Sequence, residues 1–260
     1  MKRLTITNQK GGIGKTSVSV NLARFMSDSF NKKVLFFDFD VQGNASFSLN
    51  DYASNLTTYD FLMREITDQE VNKIIAMSSK GDIVTIKASD DLAYSDTFDP
   101  DLCVKNFNNN LLKFENTFDY ALIDTPPTLG NTLVISLLLS QHVLVPMELD
   151  FFAIQGLSKL LDTCHAVEKI NNNLNYLGIV INKLVTSRKS QQKLYDELLE
   201  YYDKKHILNA KIHTSGAIQN ALSQGCALRD LRKKGLNVDR RAINEFYALT
   251  LEVILKIEKS

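Results

Sequence analysis

The chain has 260 residues, 44% of them hydrophobic, with 11 Gly, 4 Pro, no Trp, and 30 basic against 30 acidic side chains. This composition excludes a disordered chain and leaves room for a sizeable core without metal or disulfide staples. Cys103, Cys164 and Cys226 stand far apart with no CxxC spacing, which argues against a zinc or iron–sulfur site and for a reducing compartment. The segment Met1 to Ile6 contains no apolar leader run, and no apolar run elsewhere approaches about 18 residues. Neither a signal peptide nor a membrane span is expected, and a cytoplasmic location is the default.

Short β-branched or aromatic runs alternate with longer helical patterns. In chain order the predicted elements are a strand at Leu4–Thr7, a helix from Lys15 to about Ser29, strands at Val34–Phe37 and Ile83–Ile86, and a helix at Asp101–Phe114. Strands at Tyr120–Ile123 and Val143–Val145, a helix at Ala153–Ile170 and a strand at Leu177–Ile181 follow. Helices at Lys189–Tyr202, Ser215–Ser223 and Asp239–Lys259 complete the chain, the last with Asp239 as N-cap. Its predicted buried stripe is Ile243, Phe246, Tyr247, Leu249, Val253, Ile254 and Ile257.

The strand runs are almost continuously apolar, as strands covered on both faces should be. Alternation with helices implies an α/β fold, a doubly wound and mostly parallel sheet with helices on both faces. No linker, repeat or low-complexity tract divides it, so one domain over residues 1–260 is the simplest assignment. Ligands of such sheets bind beyond the carboxyl ends of the strands, and polar residues cluster just there.

After the first strand stands Asn8-Gln9-Lys10-Gly11-Gly12-Ile13-Gly14-Lys15-Thr16-Ser17, followed at once by a helix. Glycines let backbone N–H groups turn inward, the helix start adds positive potential, Lys15 can reach β- and γ-phosphates, and Thr16 can ligate Mg²⁺. Residues Gly11, Gly12, Ile13, Gly14, Lys15, Thr16 and Ser17 are therefore the candidate phosphate cradle. The second strand ends in Asp38-Phe39-Asp40-Val41-Gln42-Gly43-Asn44. Two carboxylates two residues apart at a strand end are expected on one side, where they could serve a metal's water shell and a reacting water. The strand Tyr120–Ile123 also ends in an acid, Asp124, followed by Thr125-Pro126-Pro127.

The spacing Lys10-Gly11-Gly12 then Gly14-Lys15-Thr16 resembles the deviant Walker A box, KGGxxK[ST], of the ParA/MinD superfamily of P-loop ATPases. The resemblance implies ATP and Mg²⁺ as ligands and a nucleotide-sandwich homodimer in the ATP state. In it Lys15 acts in cis, and Lys10 reaches the partner subunit's phosphates. The segment from Asp38 to Asn44 is similar to the family's DxDPQGN box, which implies that Asp40 positions the attacking water and Asp38 binds the metal through water. Val41 stands where the family usually has Pro, which implies a looser turn.

Asp124 matches the family's Walker B acid and would hold Mg²⁺ through water, beside Thr16. Asn182 matches a position where the superfamily often reads adenine, and it also reads as a turn Asn. The segment from Pro146 to Leu157 is similar to the partition branch. The likeness covers most of residues 2–182 and returns weakly from Ile212 to Ala227. It leaves the acidic 82–101 region unexplained.

Net neutrality hides a division of charge. Residues 1–130 carry 13 basic and 17 acidic side chains, whereas Lys183 to Arg241 carries 13 basic against 6 acidic. A basic stretch of this kind is an electrostatic footprint for nucleic acid, and the candidates are Arg188, Lys189, Arg229, Arg232, Lys233, Lys234, Arg240 and Arg241. The resemblance then implies a DNA-partition ATPase, a Soj-like nucleoid-associated protein that binds double-stranded DNA nonspecifically. A ParB-like centromere-binding partner would stimulate its hydrolysis.

The alternative is a MinD-like membrane-positioning ATPase. The charge-balanced tail Glu252 to Ser260 reads instead as the end of a core helix. Related reductases need paired cluster cysteines, and related ligases a substrate site that is not evident. The sequence opens on its first strand, so no N-terminal helix-turn-helix domain is expected. His142, His165, His206 and His213 lack metal-ligand spacing, and structural or surface roles are expected for them.

Overall fold

Successive residues of a strand face opposite sides of the sheet, and here both sides are apolar. In β1 (Lys2–Ile6) Leu4 and Ile6 fill one face. In β2 (Val34–Asp38) Val34 and Phe36 join them, while Leu35 and Phe37 enter a cluster on the other. In β5 (Tyr120–Asp124) Tyr120 and Leu122 divide from Ala121 and Ile123 in the same way. This two-sided burial is the physical origin of the unbroken apolar runs.

The structure, a computed structural model, describes residues 1–79, 82–185 and 189–260, with the backbone alone at 152–155, 189 and 190. The remaining strands are β3 (Ala53–Thr57), β4 (Ile83–Lys87), β6 (His142–Glu148), β7 (Asn175–Leu184) and β8 (Ile207–His213). All eight lie in one sheet ordered β3-β4-β2-β5-β1-β6-β7-β8, and every neighbouring pair is parallel. The expected α/β architecture is therefore present.

Helix α1 (Lys15–Phe30) follows Gly14 and ends at Asn31, whose left-handed backbone (φ 51°) turns its own N–H back to the carbonyl of Ser27 and that of Lys32 to the carbonyl of Met26. The further helices are α2 (Asn44–Ser48), α3 (Thr58–Met63), α4 (Asp68–Ser78), α5 (Pro100–Leu112), α6 (Asn131–Leu139), α7 (Phe151–Glu168), α8 (Lys189–Tyr201), α9 (Gly216–Ser223) and α10 (Arg240–Lys259). Asp239 caps α10 as expected, accepting from the N–H groups of Arg241 (2.9 Å) and Ala242 (3.3 Å). Its buried stripe is Ala242, Phe246, Leu249, Thr250, Val253, Ile254 and Ile257. Tyr247 departs from the expected stripe: it is exposed and stacks on Phe30 at 5.0 Å.

Strands β3 and β8 and helices α2, α3, α4 and α6 have no counterpart among the predicted elements. The acidic 82–101 region now has a structural account. Asp99 caps α5 through the N–H groups of Asp101 and Leu102. Asp96, in the 3-10 stretch Asp90–Thr97, accepts from the N–H of Asn131 at 3.2 Å and so braces the start of α6. No helix among the described residues is long and apolar enough to cross a membrane.

Candidate functional site

The ends of β1, β2 and β5 lie side by side, Ile6 and Asp38 each pairing with Asp124. Beyond β1 the loop turns through Gly12 (φ 74°) and Gly14 (φ 90°), left-handed conformations that a side chain would strain. A Cβ on Gly14 would also collide with the side-chain amide of Asn182, which donates to the carbonyl of Ile13 at 2.7 Å. Glycine is thus what lets the end of β7 close on the loop. Gly11 is exposed and Ile13 buried.

Lys15 is buried, with Nζ donating to the carbonyl of Lys10 at 3.2 Å. Burial lowers its pKa, and the charges of Asp124 and Asp40 act the other way. Thr16 donates to Oδ2 of Asp124 at 2.8 Å, and Ser19 to Oδ1 at 2.8 Å. Ser17 is buried just inside the helix. Complete burial pushes the Asp124 pKa up, as does the neighbouring Asp38, against the Ser19 and Thr16 hydroxyls and Lys15.

Asp38 and Asp40 part company. Asp38 is the last residue of β2 and is fully buried. Its Oδ2 accepts from the N–H and the hydroxyl of Ser46, both at 2.7 Å, and its Oδ1 from the N–H of Asp40 at 3.1 Å. Burial raises its pKa as well, with the Ser46 hydrogen bonds opposing. Asp40 lies beyond the strand, in the turn to α2, and lines a cavity of about 450 Å³ that also touches Lys15 and Thr16. Strand alternation stops at Asp38, so the expected same-side pair becomes one carboxylate in the interior and one at the cavity wall.

Lys10 forms a salt bridge with Asp150 of its own chain, and its N–H donates to Asn8 Oδ1 at 3.0 Å. The far wall of the cavity includes Asn182, Lys183, His213, Thr214 and Ser215, of which the sequence pointed to Asn182 alone. Lys183 has a left-handed backbone (φ 53°) and donates through Nζ to the carbonyl of Gly12. His213, expected to be structural or surface, instead lines the cavity, its Nδ1 held 2.6 Å from Oε1 of Glu245. These residues obey the strand-end rule, but β8 had to be recognised before its end could be. His142 matches its expected structural role: it is buried, and burial aided by Lys2 pushes its pKa down to about 4.

The basic candidates separate into groups. Arg188 lies outside the described residues, as does the side chain of Lys189. Arg229 turns inward, donating to the Ser29 hydroxyl at 2.6 Å and lying 4.8 Å from the centre of the Phe25 ring. Lys233 pairs with Asp230 at 2.9 Å, and Lys234 donates to the carbonyl of Gln224 at 2.6 Å. Arg232, Lys233, Lys234, Arg240 and Arg241 are exposed, on the 3-10 stretch Leu228–Lys234 and the first turn of α10.

A family model described as an AAA domain matches residues 1–176. The protein IncC of Escherichia coli is 33% identical over 266 residues, covering 100% of this chain and 71% of that protein. The chromosome-partitioning ATPase Soj of Treponema pallidum is 32% identical over 230 residues, covering 86% of this chain and 87% of its own. Among solved structures, a Borrelia burgdorferi B31 protein assigned to plasmid partition and bound to AMPPNP superposes with a TM-score of 0.71. It is 22% identical over 98% of both chains, a likeness of fold.

Proposed function

The chain belongs to the ParA/MinD-type P-loop ATPases, and from that premise we propose that it is a DNA-partition ATPase. ATP binds in the 450 Å³ cavity, the ATP-bound form pairs into a dimer, and the dimer holds double-stranded DNA nonspecifically through the exposed basic residues. A centromere-binding protein of the ParB kind stimulates hydrolysis to ADP and phosphate, in the cytoplasm and on the nucleoid. The observation that carries the reading is the convergence of Lys15, Thr16 and Asp40, from two strand ends, on that one cavity.

Phosphoryl transfer depends on positioning and charge neutralisation. The loop N–H groups from Gly11 to Ser17 and the Lys15 ammonium hold the phosphates, and Asp40 orients the attacking water. Lys10 must exchange Asp150 for the partner subunit's phosphates, which ties turnover to dimer formation. Asn182 would meet the base with the amide capacity left beside its bond to the Ile13 carbonyl.

The hydroxyl of Thr16 and the carboxylates of Asp38 and Asp124 are hard oxygen donors that suit magnesium. Each Asp124 oxygen receives one hydroxyl and so retains acceptor capacity. Thr16, with Asp38 and Asp124 acting through water, would hold the ion, which when bound offsets charge on the β- and γ-phosphates.

Binding to a nonspecific DNA duplex with ATP, with ADP and without nucleotide, over a salt series, tests the reading. Tight binding in ATP alone, weakening steeply as salt rises, is the expected result, because phosphate neutralisation releases counterions. ATP-bound protein that ignores DNA at low salt and binds anionic liposomes would instead make it a membrane-positioning ATPase.

A further inference from the structure

The wall of the cavity opposite the phosphate loop is fastened to the basic start of α10. Strand β8 ends at His213, followed by Thr214 and Ser215, all three in the cavity wall. The N–H of His213 donates to Oε2 of Glu245 at 2.9 Å, and its Nδ1 meets Oε1 at 2.6 Å. The Ser215 hydroxyl donates to Asp239, the cap of α10, at 2.7 Å. Arg241 donates from Nη2 to the carbonyl of Thr214 at 3.0 Å, and its Nε lies 3.6 Å from the same Glu245 oxygen that holds His213.

The connection also runs toward the loop. Thr214 donates through its N–H to the carbonyl of Leu184 at 3.0 Å and through its hydroxyl to that of Lys183 at 3.1 Å. Lys183 in turn holds the Gly12 carbonyl. One largely shielded carboxylate, its side chain 14% exposed, therefore stands between a cavity residue and an exposed arginine of the basic rim.

We infer that Glu245 is a positioning residue that couples occupancy of the nucleotide cavity, met at His213 and Thr214, to the presentation of Arg241 at the DNA-facing rim. The inference rests on the partition reading, with nucleotide in the cavity and DNA at the rim. With Nδ1 committed to Glu245, a ligand meets the His213 ring at Nε2. Any shift of that ring changes what Oε1 can offer Arg241. A nucleotide moves this balance only through interactions that differ between its bound forms. Coupling between two sites is reciprocal, so DNA must raise nucleotide affinity by the factor by which nucleotide raises DNA affinity.

The test uses the full chain and a nonspecific duplex at fixed salt. DNA affinity is measured with AMPPNP and magnesium and with ADP and magnesium, for wild type, Glu245→Gln, Glu245→Asp and His213→Gln. The wild-type preference for the AMPPNP state is expected to be about tenfold or more, within the usual range for coupled sites. In Glu245→Gln and His213→Gln the ratio should fall toward one, while Glu245→Asp, which keeps the charge, retains most of it. AMPPNP affinity with and without DNA should show the same loss. A merely structural brace would weaken DNA binding equally in both nucleotide states and leave the ratio unchanged, which overturns the inference. Should Glu245→Gln fail to fold, His213→Gln carries the same ratio. Wild type with equal affinity in both states overturns the partition reading and the coupling together; a preference that survives both variants overturns the coupling alone.

Discussion

At one end of the cavity the chemistry rests on β1, β2 and β5, central strands whose ends pair in register. At the other end it rests on β7 and on β8, the edge of the sheet. The central end is buried: Asp38 and Asp124 are fully shielded, and each of their oxygens accepts a hydrogen bond from the chain itself. The edge end is held in part by side chains that solvent reaches, such as Arg241 on the Thr214 carbonyl. Unpaired charge is costly in the first environment and cheap in the second. Substitutions at the central end should therefore abolish single steps, whereas those at the edge should grade affinity and coupling.

The largest effects belong to the central end, where two neighbouring substitutions should fail differently. Lys15→Ala removes a lysine ammonium that lines the cavity with Thr16 and Asp40 and leaves Asp124 without the positive charge of Lys15. ATP affinity, read by calorimetry, should fall by about 3 kcal/mol or more, the scale for truncating one partner of a buried charge pair. Asp40→Ala should retain ATP binding while kcat falls by about 10²-fold or more, as for loss of a group that manages a reacting proton. An Asp40 variant with normal turnover would remove its assigned role.

A smaller effect is expected where the central helix meets the basic rim. Arg24 on α1 and Asp230 on the 3-10 stretch form a buried pair, bonded at 2.8 and 3.1 Å. Burial alone would raise the Asp230 pKa, but the hydrogen bonds from Arg24 and Lys233 win and lower it. Asp230→Ala should cost about 3 kcal/mol in urea unfolding, toward the low end for a broken buried pair, because Asp28 remains on Arg24. A folded pKa below the unfolded one means the contribution is complete at neutral pH and is lost on acidification below about pH 4. An Asp230→Ala protein as stable as wild type would show that the pair does not anchor the rim to α1.

The same contrast decided what the sequence could reveal. The central strands have both faces covered, so Val34–Phe37 and Tyr120–Ile123 read as unbroken apolar runs, and the loop and acids that follow were legible from spacing. The missed strands, β3 and β8, are the two edges of the sheet. Ala-Ser-Asn-Leu-Thr and Ile-Leu-Asn-Ala-Lys-Ile-His mix polar residues without a clean period. Missing β8 hid its strand end, and with it His213 and Ser215 in the cavity wall. Helix α6 was missed for the opposite reason: Leu133 to Leu139 is apolar almost all round, so no face stands out in the pattern. Asp38 and Asp40 both stand out as acids in the sequence, but which of them reaches the cavity depends on where β2 ends.

The smallest expected effect separates the exposed basic residues from Arg229, which is partly covered. Arg232 and Arg240 are exposed, so replacing both with Gln should leave ATP affinity unchanged and weaken binding on all DNA sequences alike. The plot of log affinity against log salt should flatten by about 0.9 for each phosphate that the protein no longer neutralises. Arg229 is different, because its guanidinium lies against Phe25 and on the Ser29 hydroxyl. Arg229→Gln should cost about 0.5–1 kcal/mol of stability, the worth of a cation over an aromatic ring, and leave the salt slope as in wild type. If Arg229→Gln flattened the slope as far as Arg232→Gln does, its side chain would have to leave Phe25 to meet a phosphate. The proposed DNA-facing rim would then extend from α10 across the 3-10 stretch to the end of α1, joining the edge of the molecule to the helix that begins at the phosphate loop.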